Sequence, residues 1–194
     1  MAILFLTNEN AKNFEKIVDK LKETDTNVII KFDRVNIDFI KNNKIDFIVS
    51  DRYAVILEKK LLDYLDGNVI NTHPSILPLN RGWQPNFFSI LYNDPTGVTI
   101  HQVDEGLDTG NIILQKKIFY DPYMTLRQTY TIFRETIENL LINNFDQIYN
   151  GKLEKHAQKS KGSFNSKAKF EKIFMKFHKG WDTKIIDSKN IIKN

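Results

Sequence analysis

Asn71-Thr72-His73-Pro74-Ser75-Ile76-Leu77-Pro78, answered about one strand and one helix later by Val103-Asp104-Glu105-Gly106-Leu107-Asp108-Thr109-Gly110, is the stretch whose reading decides the fold. An amide and an imidazole stand two residues apart at the end of the apolar run Asn68-Val69-Ile70. A compact carboxylate then arrives in a loop fenced by Gly106 and Gly110. A neutral hydrogen-bond donor (Asn71), a titratable base (His73) and a carboxylate to orient that base (Asp108) together suit acyl transfer. Taken singly, the same three residue types are more often a turn, a surface group and a cap. The neighbouring residues are what set this case apart.

Working outward, the chain before this stretch alternates short apolar runs with amphipathic ones. Ala2–Leu6, Asn27–Phe32, Asp46–Val49 and Asn68–Ile70 read as strands. Asn10–Lys22, Val35–Lys41 and Glu58–Leu65 read as the helices between them, the first with Phe14, Ile17, Val18 and Leu21 at steps of three and four. Such alternation predicts an α/β fold, a Rossmann-like, mostly parallel sheet with helices on both faces. Ligands of these sheets bind beyond the carboxyl ends of the strands, where Asn71 and His73 fall. No Gly-x-Gly-x-x-Gly follows the first strand; Thr7-Asn8-Glu9-Asn10 stands there, so a dinucleotide site is not expected.

After His73, three prolines with Asn80 and Gly82 between them predict loop as far as Gln84, with Leu77–Pro78 a candidate cis bond. Asn86–Tyr92 reads as a helix; Thr96–Val103 and Asn111–Tyr120 read as strands joined through the Asp108 loop into an antiparallel hairpin. Thr125–Ile148 is the clearest helix, apolar at Leu126, Tyr130, Phe133, Ile137, Leu140, Leu141, Phe145 and Ile148, with Thr125 and Gln128 placed for a capping box. Lys155–Ser166 reads as loop and Lys167–His178 as a last helix. The expected organisation is a catalytic domain over residues 1–150 and a short C-terminal extension, 151–194, packed on it.

At 194 residues, 41% hydrophobic and 27% charged, the chain has the length and balance of one domain with a sizeable core. It has no cysteine, which excludes a disulfide framework, a thiolate metal site and a cysteine nucleophile. No apolar run approaches a membrane span, and MAILFLTNENAK lacks the flanks of a secretion signal, so a cytoplasmic protein with no membrane partner is expected. The net charge of +4 is uneven, because residues 152–194 carry 12 lysines against Glu154, Glu171, Asp182 and Asp187. Such a segment attracts phosphates, although a solvated helix face is the plainer reading. It has no aromatic-interleaved basic repeats, so no nucleic-acid partner is expected.

NTHPSILP at 71–78 and TGVTIHQVDEGLDTGNIILQ at 96–115 resemble the formyltransferases that use N10-formyltetrahydrofolate as donor, a family that includes glycinamide ribonucleotide transformylase, methionyl-tRNA formyltransferase and the sugar N-formyltransferases. Asn80–Ser89 is most similar to the sugar enzymes. The resemblance implies the formyltransferase fold, with Asn71, His73 and Asp108 as catalytic residues. It implies a pterin pocket walled by Ser50–Leu57, with Tyr53, Val55, Ile56, Leu57 and Asp104 on the folate, and an acceptor site at Arg81, Gly82, Trp83 and Gln84. Physically, Arg81 suits a pyrophosphate and Trp83 a base or sugar face, the alternative being a structural loop. The co-substrate implied is N10-formyltetrahydrofolate, with no metal. The acceptor implied is a nucleotide-linked amino sugar such as dTDP-4-amino-4,6-dideoxyglucose, made for an O-antigen or lipopolysaccharide, and the enzyme is expected as a homodimer.

Other readings carry less. Glycinamide ribonucleotide is disfavoured by the missing glycine-rich loop, and methionyl-tRNA by the roughly 45 residues after the long helix, too few for a tRNA-docking barrel. A folate- or nucleotide-binding module without catalysis is disfavoured by the intact Asn71, His73 and Asp108. GSFNSK and GWDT resemble the part of the sugar enzymes that helps hold the acceptor. His73 suits either of two tasks, accepting the amine proton or donating to the oxyanion as imidazolium. His101, on an apolar strand, reads as a satisfied core or edge histidine, and His156 and His178 as solvent-facing. No His/Asp/Glu cluster with metal-ligand spacing appears.

Overall fold

The structure, a computed structural model, describes residues 1–191, so Lys193 of the basic segment lies outside the described residues. The first half holds β1 (Ala2–Leu6), α1 (Glu15–Thr24), β2 (Val28–Lys31), α2 (Ile37–Asn42), β3 (Ile45–Ser50), α3 (Lys59–Leu65) and β4 (Val69–His73). There follow β5 (Arg81–Gly82), α4 (Pro85–Tyr92), β6 (Gly97–Gln102), β7 (Ile112–Lys117) and α5 (Leu126–Tyr149). The last elements are β8 (Phe164–Asn165), α6 (Lys167–Phe174), a 3-10 turn (Gly180–Asp182) and α7 (Ile185–Ile191).

Six strands form one sheet in the order β2-β1-β3-β4-β6-β7. The first four are parallel; β6 runs antiparallel to β4, and β7 antiparallel to β6. Every residue of β1 is buried, because a run of apolar side chains pointing alternately up and down is hidden only when both faces are covered. Ile3 and Phe5 pack with Ile17, Val18 and Leu21 of α1 and with Leu141, Phe145 and Ile148 of α5. Ala2, Leu4 and Leu6 face the other way, onto Ile40 of α2 and Leu61, Leu62 and Leu65 of α3. This is the α/β architecture the sequence predicts, with the antiparallel hairpin and the long helix in place. Thr125 closes the expected capping box with Gln128, and Leu77–Pro78 is cis.

The boundaries differ where tertiary pairing overrides local signals. β4 continues past Ile70 to His73, because β6 pairs across it, Asn71 opposite His101 and His73 opposite Thr99. α1 begins at Glu15 rather than Asn10, since Asn13 turns into the left-handed region at φ 58°. Within the segment expected to be loop, Arg81–Gly82 pairs in parallel with Phe164–Asn165, itself from the other expected loop. A two-residue strand carries no periodic signal of its own. α6 stops at Phe174, four residues early, and the 3-10 turn and α7 were not anticipated.

Residues beyond Gly151 are joined to the rest by that small ladder and by a second aromatic core. Phe87, Phe88 and Leu126 pack there with Phe170, Phe177 and Ile185. Among the described residues, no helix is long and apolar enough to cross a membrane.

Phe133 is fully buried with Val98, Ile118 and Ile137 under the hairpin, and Thr125 only caps the helix that carries it. Urea denaturation should find Phe133→Ala destabilised by about 3–5 kcal/mol and Thr125→Ala by about 1 kcal/mol.

Candidate active site

Strand alternation puts Asn71 and His73 on one face of β4 and Thr72 on the other. Thr72 is fixed from behind by donating its hydroxyl to Asp51, a fully enclosed carboxylate at the end of β3. Arg134 of α5 and Arg52 also bond Asp51, at 2.9 and 2.8 Å. Burial alone would raise the Asp51 carboxyl; the two guanidinium groups outweigh it and hold the group below the usual carboxylate range. The carboxyl end of β4 is therefore clamped to two neighbouring elements before any ligand arrives.

Asp108 comes from the β6–β7 loop, in left-handed backbone at φ 54°. Its Oδ2 accepts the Gly82 N–H at 2.8 Å and lies 3.5 Å from His73 Nδ1. Its Oδ1 lies 3.5 Å from Asn71 Nδ2 and 3.6 Å from His101 Nε2. Burial works against its charge, but the neighbouring imidazoles and the Gly82 N–H hold it in the ionised form, well below the usual carboxylate range. The loop is braced from outside by Gln158, whose Nε2 donates to the Asp108 and Gly110 carbonyls at 2.9 and 2.8 Å. Glycine is required on both sides of this contact. A Cβ on Gly110 would stand 2.0 Å from the Gln102 carbonyl, and one on Gly82, already at φ 90°, 2.6 Å from that of Asn165.

His73 is held at both ring nitrogens. Its Nε2 is 3.2 Å from the Asn80 carbonyl and its Nδ1 3.5 Å from Asp108 Oδ2, so both ring nitrogens face groups that can only accept. His73 is 3% exposed, and that burial lowers its pKa to about 4, more than the Asp108 carboxylate restores. A neutral imidazole has one nitrogen without a hydrogen, and that nitrogen is able to take a proton. Asn80, whose carbonyl sets this orientation, is itself held by Asn165, Asp94 and Ser163.

His101 is the satisfied, buried histidine that its apolar strand predicts, and one of its partners is Asn71. Its Nδ1 donates to the Gln102 carbonyl at 2.7 Å, which leaves Nε2 to accept one N–H of Asn71 at 3.2 Å. The other Asn71 N–H has only an Asp108 oxygen at 3.5 Å, long enough to be given up to a better acceptor. His73, His101 and Asp108 offer ligand atoms within 4.8 Å of one another, a cluster that no spacing in the sequence announces. Their hydrogen bonds run to Asn80, Gln102 and Gly82.

A cavity of about 740 Å³ opens in front of these groups. Tyr53, Val55, Ile56, Leu57 and Asp104 line it, as do Gly82, Trp83 and Gln84. Two of them also serve the fold: Tyr53 donates its hydroxyl to the Asp33 carbonyl, and Asp104 accepts Gly106 N–H and Thr109 Oγ1 within its own loop. Arg81 is the exception. Its guanidinium turns away to Gln158 and the Lys161 carbonyl, so it ties residues 158–161 to β5 instead of facing a pyrophosphate. Sequence reasoning missed His101, Asn80, Gln158 and Asn165, since each acts through a partner 30 or more residues away or through a backbone carbonyl. A shallower depression lined by Asp63, Asp66, Asp104 and Glu105 contains none of the three catalytic candidates.

With this geometry in hand, comparison with known proteins is direct. A family model described as formyl transferase matches residues 30–144. The crystal structure of the formyltransferase PseJ from Anoxybacillus kamchatkensis, in complex with UDP-4,6-dideoxy-4-formamido-L-AltNAc and tetrahydrofolate, is 34% identical. It superposes with a TM-score of 0.89 over 97% of each chain. dTDP-4-amino-4,6-dideoxyglucose formyltransferase of Mycobacterium tuberculosis is 34% identical over 110 residues, 56% of this chain and 47% of that protein. Methionyl-tRNA formyltransferase of Clostridium tetani is 30% identical over 165 residues, 84% of this chain and 52% of that protein. The chain thus spans about half the length of the curated relatives it matches.

Two outcomes are expected from the site. The folded chain refuses a proton at His73 until about pH 4, whereas the unfolded chain accepts it near 6.5. Stability contributed by the neutral ring is therefore full above pH 6.5 and lost progressively as pH falls toward 4. Urea midpoints measured from pH 7 to 4 should fall less steeply for His73→Asn, by a difference on the order of 1–3 kcal/mol at the acid end. His101→Phe, which keeps the bulk and removes the acceptor for Asn71, should lower kcat roughly tenfold while leaving folate affinity unchanged, an effect about the size of one misplaced hydrogen bond.

Proposed function

The chain belongs to the formyl transferase family, and from that premise we propose that it moves a formyl group from N10-formyltetrahydrofolate to the amino group of a nucleotide-linked amino sugar. The observation that carries this reading is the pair His73 Nδ1 and Asp108 Oδ2, 3.5 Å apart beside the Asn71 amide. An imidazole beside an ionised carboxylate can take the proton that an attacking amine must lose, and the carboxylate offsets the charge so gained. The family likeness to PseJ, whose crystals hold a UDP-linked formamido sugar and tetrahydrofolate, supports the same choice of acceptor and donor.

The residues divide the work as follows. The amine nitrogen attacks the formyl carbon, and the carbonyl oxygen gains negative charge. Asn71 Nδ2 donates to that oxygen with the N–H that His101 leaves available, and it does so without titrating. His73 Nδ1 takes the proton that the nitrogen must lose, and Asp108 stabilises the imidazolium so formed. As the intermediate collapses, the carbon–nitrogen bond to the folate breaks and that proton passes to the departing nitrogen, giving the formamide and tetrahydrofolate. The cavity of about 740 Å³ is of the size that ligand sites commonly have. Val55, Ile56 and Leu57 offer an apolar wall with free main-chain groups, which suits a flat pterin ring, and Trp83 with Lys167 5.5 Å over its ring suits the sugar nucleotide at the mouth. We read residues 1–150 as the catalytic domain and 151–194 as packed on it. The finer reading, a cytoplasmic homodimer making a precursor of an O-antigen polysaccharide, rests on family likeness alone.

Single-turnover assays with UDP- and dTDP-linked 4-amino-4,6-dideoxyhexoses test this. Wild type should transfer the formyl group, and His73→Asn should be slower by roughly 10²–10⁴. If wild type binds the folate and formylates neither sugar, the acceptor reading is wrong, and methionyl-tRNA becomes the next substrate to try.

A further inference from the structure

Asn86 takes no part in the reaction as described, yet it is a buried polar side chain in the cavity wall. It is 1% exposed, lines the same cavity as His73 and Asp108, and its amide Oδ1 is enclosed without a hydrogen-bond partner. Its backbone carbonyl accepts the Ser89 hydroxyl at 2.9 Å. It occupies the second position of α4, where the helix is buried from Pro85 to Leu91 and its neighbours are Phe87 and Phe88. A leucine of nearly the same volume would satisfy such surroundings better, because an enclosed amide oxygen with no donor is a standing cost to the fold. A ligand that brings the missing donor accounts for it.

The cavity is graded in a way that narrows what the ligand group is. His73 and Asn86 lie at the enclosed end, whereas Trp83 is 36%, Phe164 56% and Ile56 72% exposed at the rim. An amine that reaches His73 brings its own ring to the enclosed end and leaves the charged nucleotide toward the rim, where solvation of the phosphates is cheap. Resting on the proposed transfer to a nucleotide-linked amino sugar, we infer that Asn86 Oδ1 accepts a hydrogen bond from an O–H or N–H substituent of the sugar ring that carries the reacting amine. Asn86 is thereby a specificity-determining residue. It distinguishes sugars bearing a donor near the amine from sugars that lack one, since a ring with hydrogen at that position leaves the amide oxygen buried and unpaired. Hydroxyl and acylamino groups share this chemistry, and the free Nδ2 of the same amide can answer the oxygen that either one also carries.

The test uses the whole chain, saturating N10-formyltetrahydrofolate, and three acceptors alike in nucleotide and amine. They carry a hydroxyl, an acetamido group or hydrogen on a ring carbon near the amine-bearing one, and wild type is compared with Asn86→Leu. Wild type should prefer one or both donor-bearing sugars over the deoxy sugar by roughly 10- to 100-fold in kcat/KM, the range of one unpaired buried group. The better of the two identifies the hydroxyl or the acylamino N–H as the source. Asn86→Leu should lose that preference, with the deoxy sugar turned over as before, and its Tm should be unchanged or higher. Equal discrimination by both proteins, or an equal loss on all three sugars with a lowered Tm, overturns the inference and leaves Asn86 a packing residue. Should Asn86→Leu fail to fold, wild type alone decides, since equal rates on the three sugars overturn the inference. Folate binding without transfer to any of them instead removes the acceptor reading on which it rests.

Discussion

The structure depends on keeping one carboxylate charged inside protein. The Asp108 side chain is only 11% exposed, and a buried ion survives where donors surround it and not otherwise. Those donors come from far apart in the chain: the Gly82 amide of β5, Asn71 of β4 and, on the backbone side, Gln158. Moving Gly82 or Asn71 would take a donor from the charge, and moving Gln158 would loosen the loop that carries it. This single requirement draws β4, the β6–β7 loop, β5 and residues beyond Gly151 to one point.

Residues 158–165 hold the site together through contacts with its supports rather than with any reacting group. Gln158 carries the Asp108 loop and receives Arg81; Ser163 and Asn165 fix Asn80, whose carbonyl fixes His73. β8 completes this by pairing with β5, so that the Gly82 amide is aimed at Asp108. His73, buried and neutral, needs such support more than an exposed base would, because its usefulness lies in one tautomer with one free nitrogen. The wall around the cavity carries strained backbone to match. Arg52, Gln84 and Asp108 of the wall, and Asn80 behind His73, all adopt positive φ, a conformation that persists where surrounding contacts over-determine it and that gathers at functional sites.

Much of this was legible in the sequence, for reasons that can be named. The parallel sheet followed from apolar runs too short for helices and too uniform for exposed strands, as in Ala2–Leu6 and Asp46–Val49. The long helix followed from its stripe and its cap at Thr125. Asn71, His73 and Asp108 stood out through the motif around them, and the structure brings the three side chains together. Arg81 shows the limit of the same reasoning. Its chemistry suits a pyrophosphate, but a guanidinium goes to whichever planar acceptor folding brings nearest, and that acceptor is Gln158.

The sequence by itself determined the layered α/β fold and the residue types assembled for acyl transfer, because both are written in local periodicity and short motifs. Only the tertiary structure decided what each group is able to do. That the His73 ring is neutral and held at Nε2 follows from burial beneath other elements and from a carbonyl seven residues on. That His101 steadies Asn71 follows from the antiparallel register of β4 and β6, and that Asn86 is left without a partner follows from where α4 meets the cavity. Protonation, orientation and unmet hydrogen bonds are properties of an environment, and the environment exists only once distant parts of the chain have met.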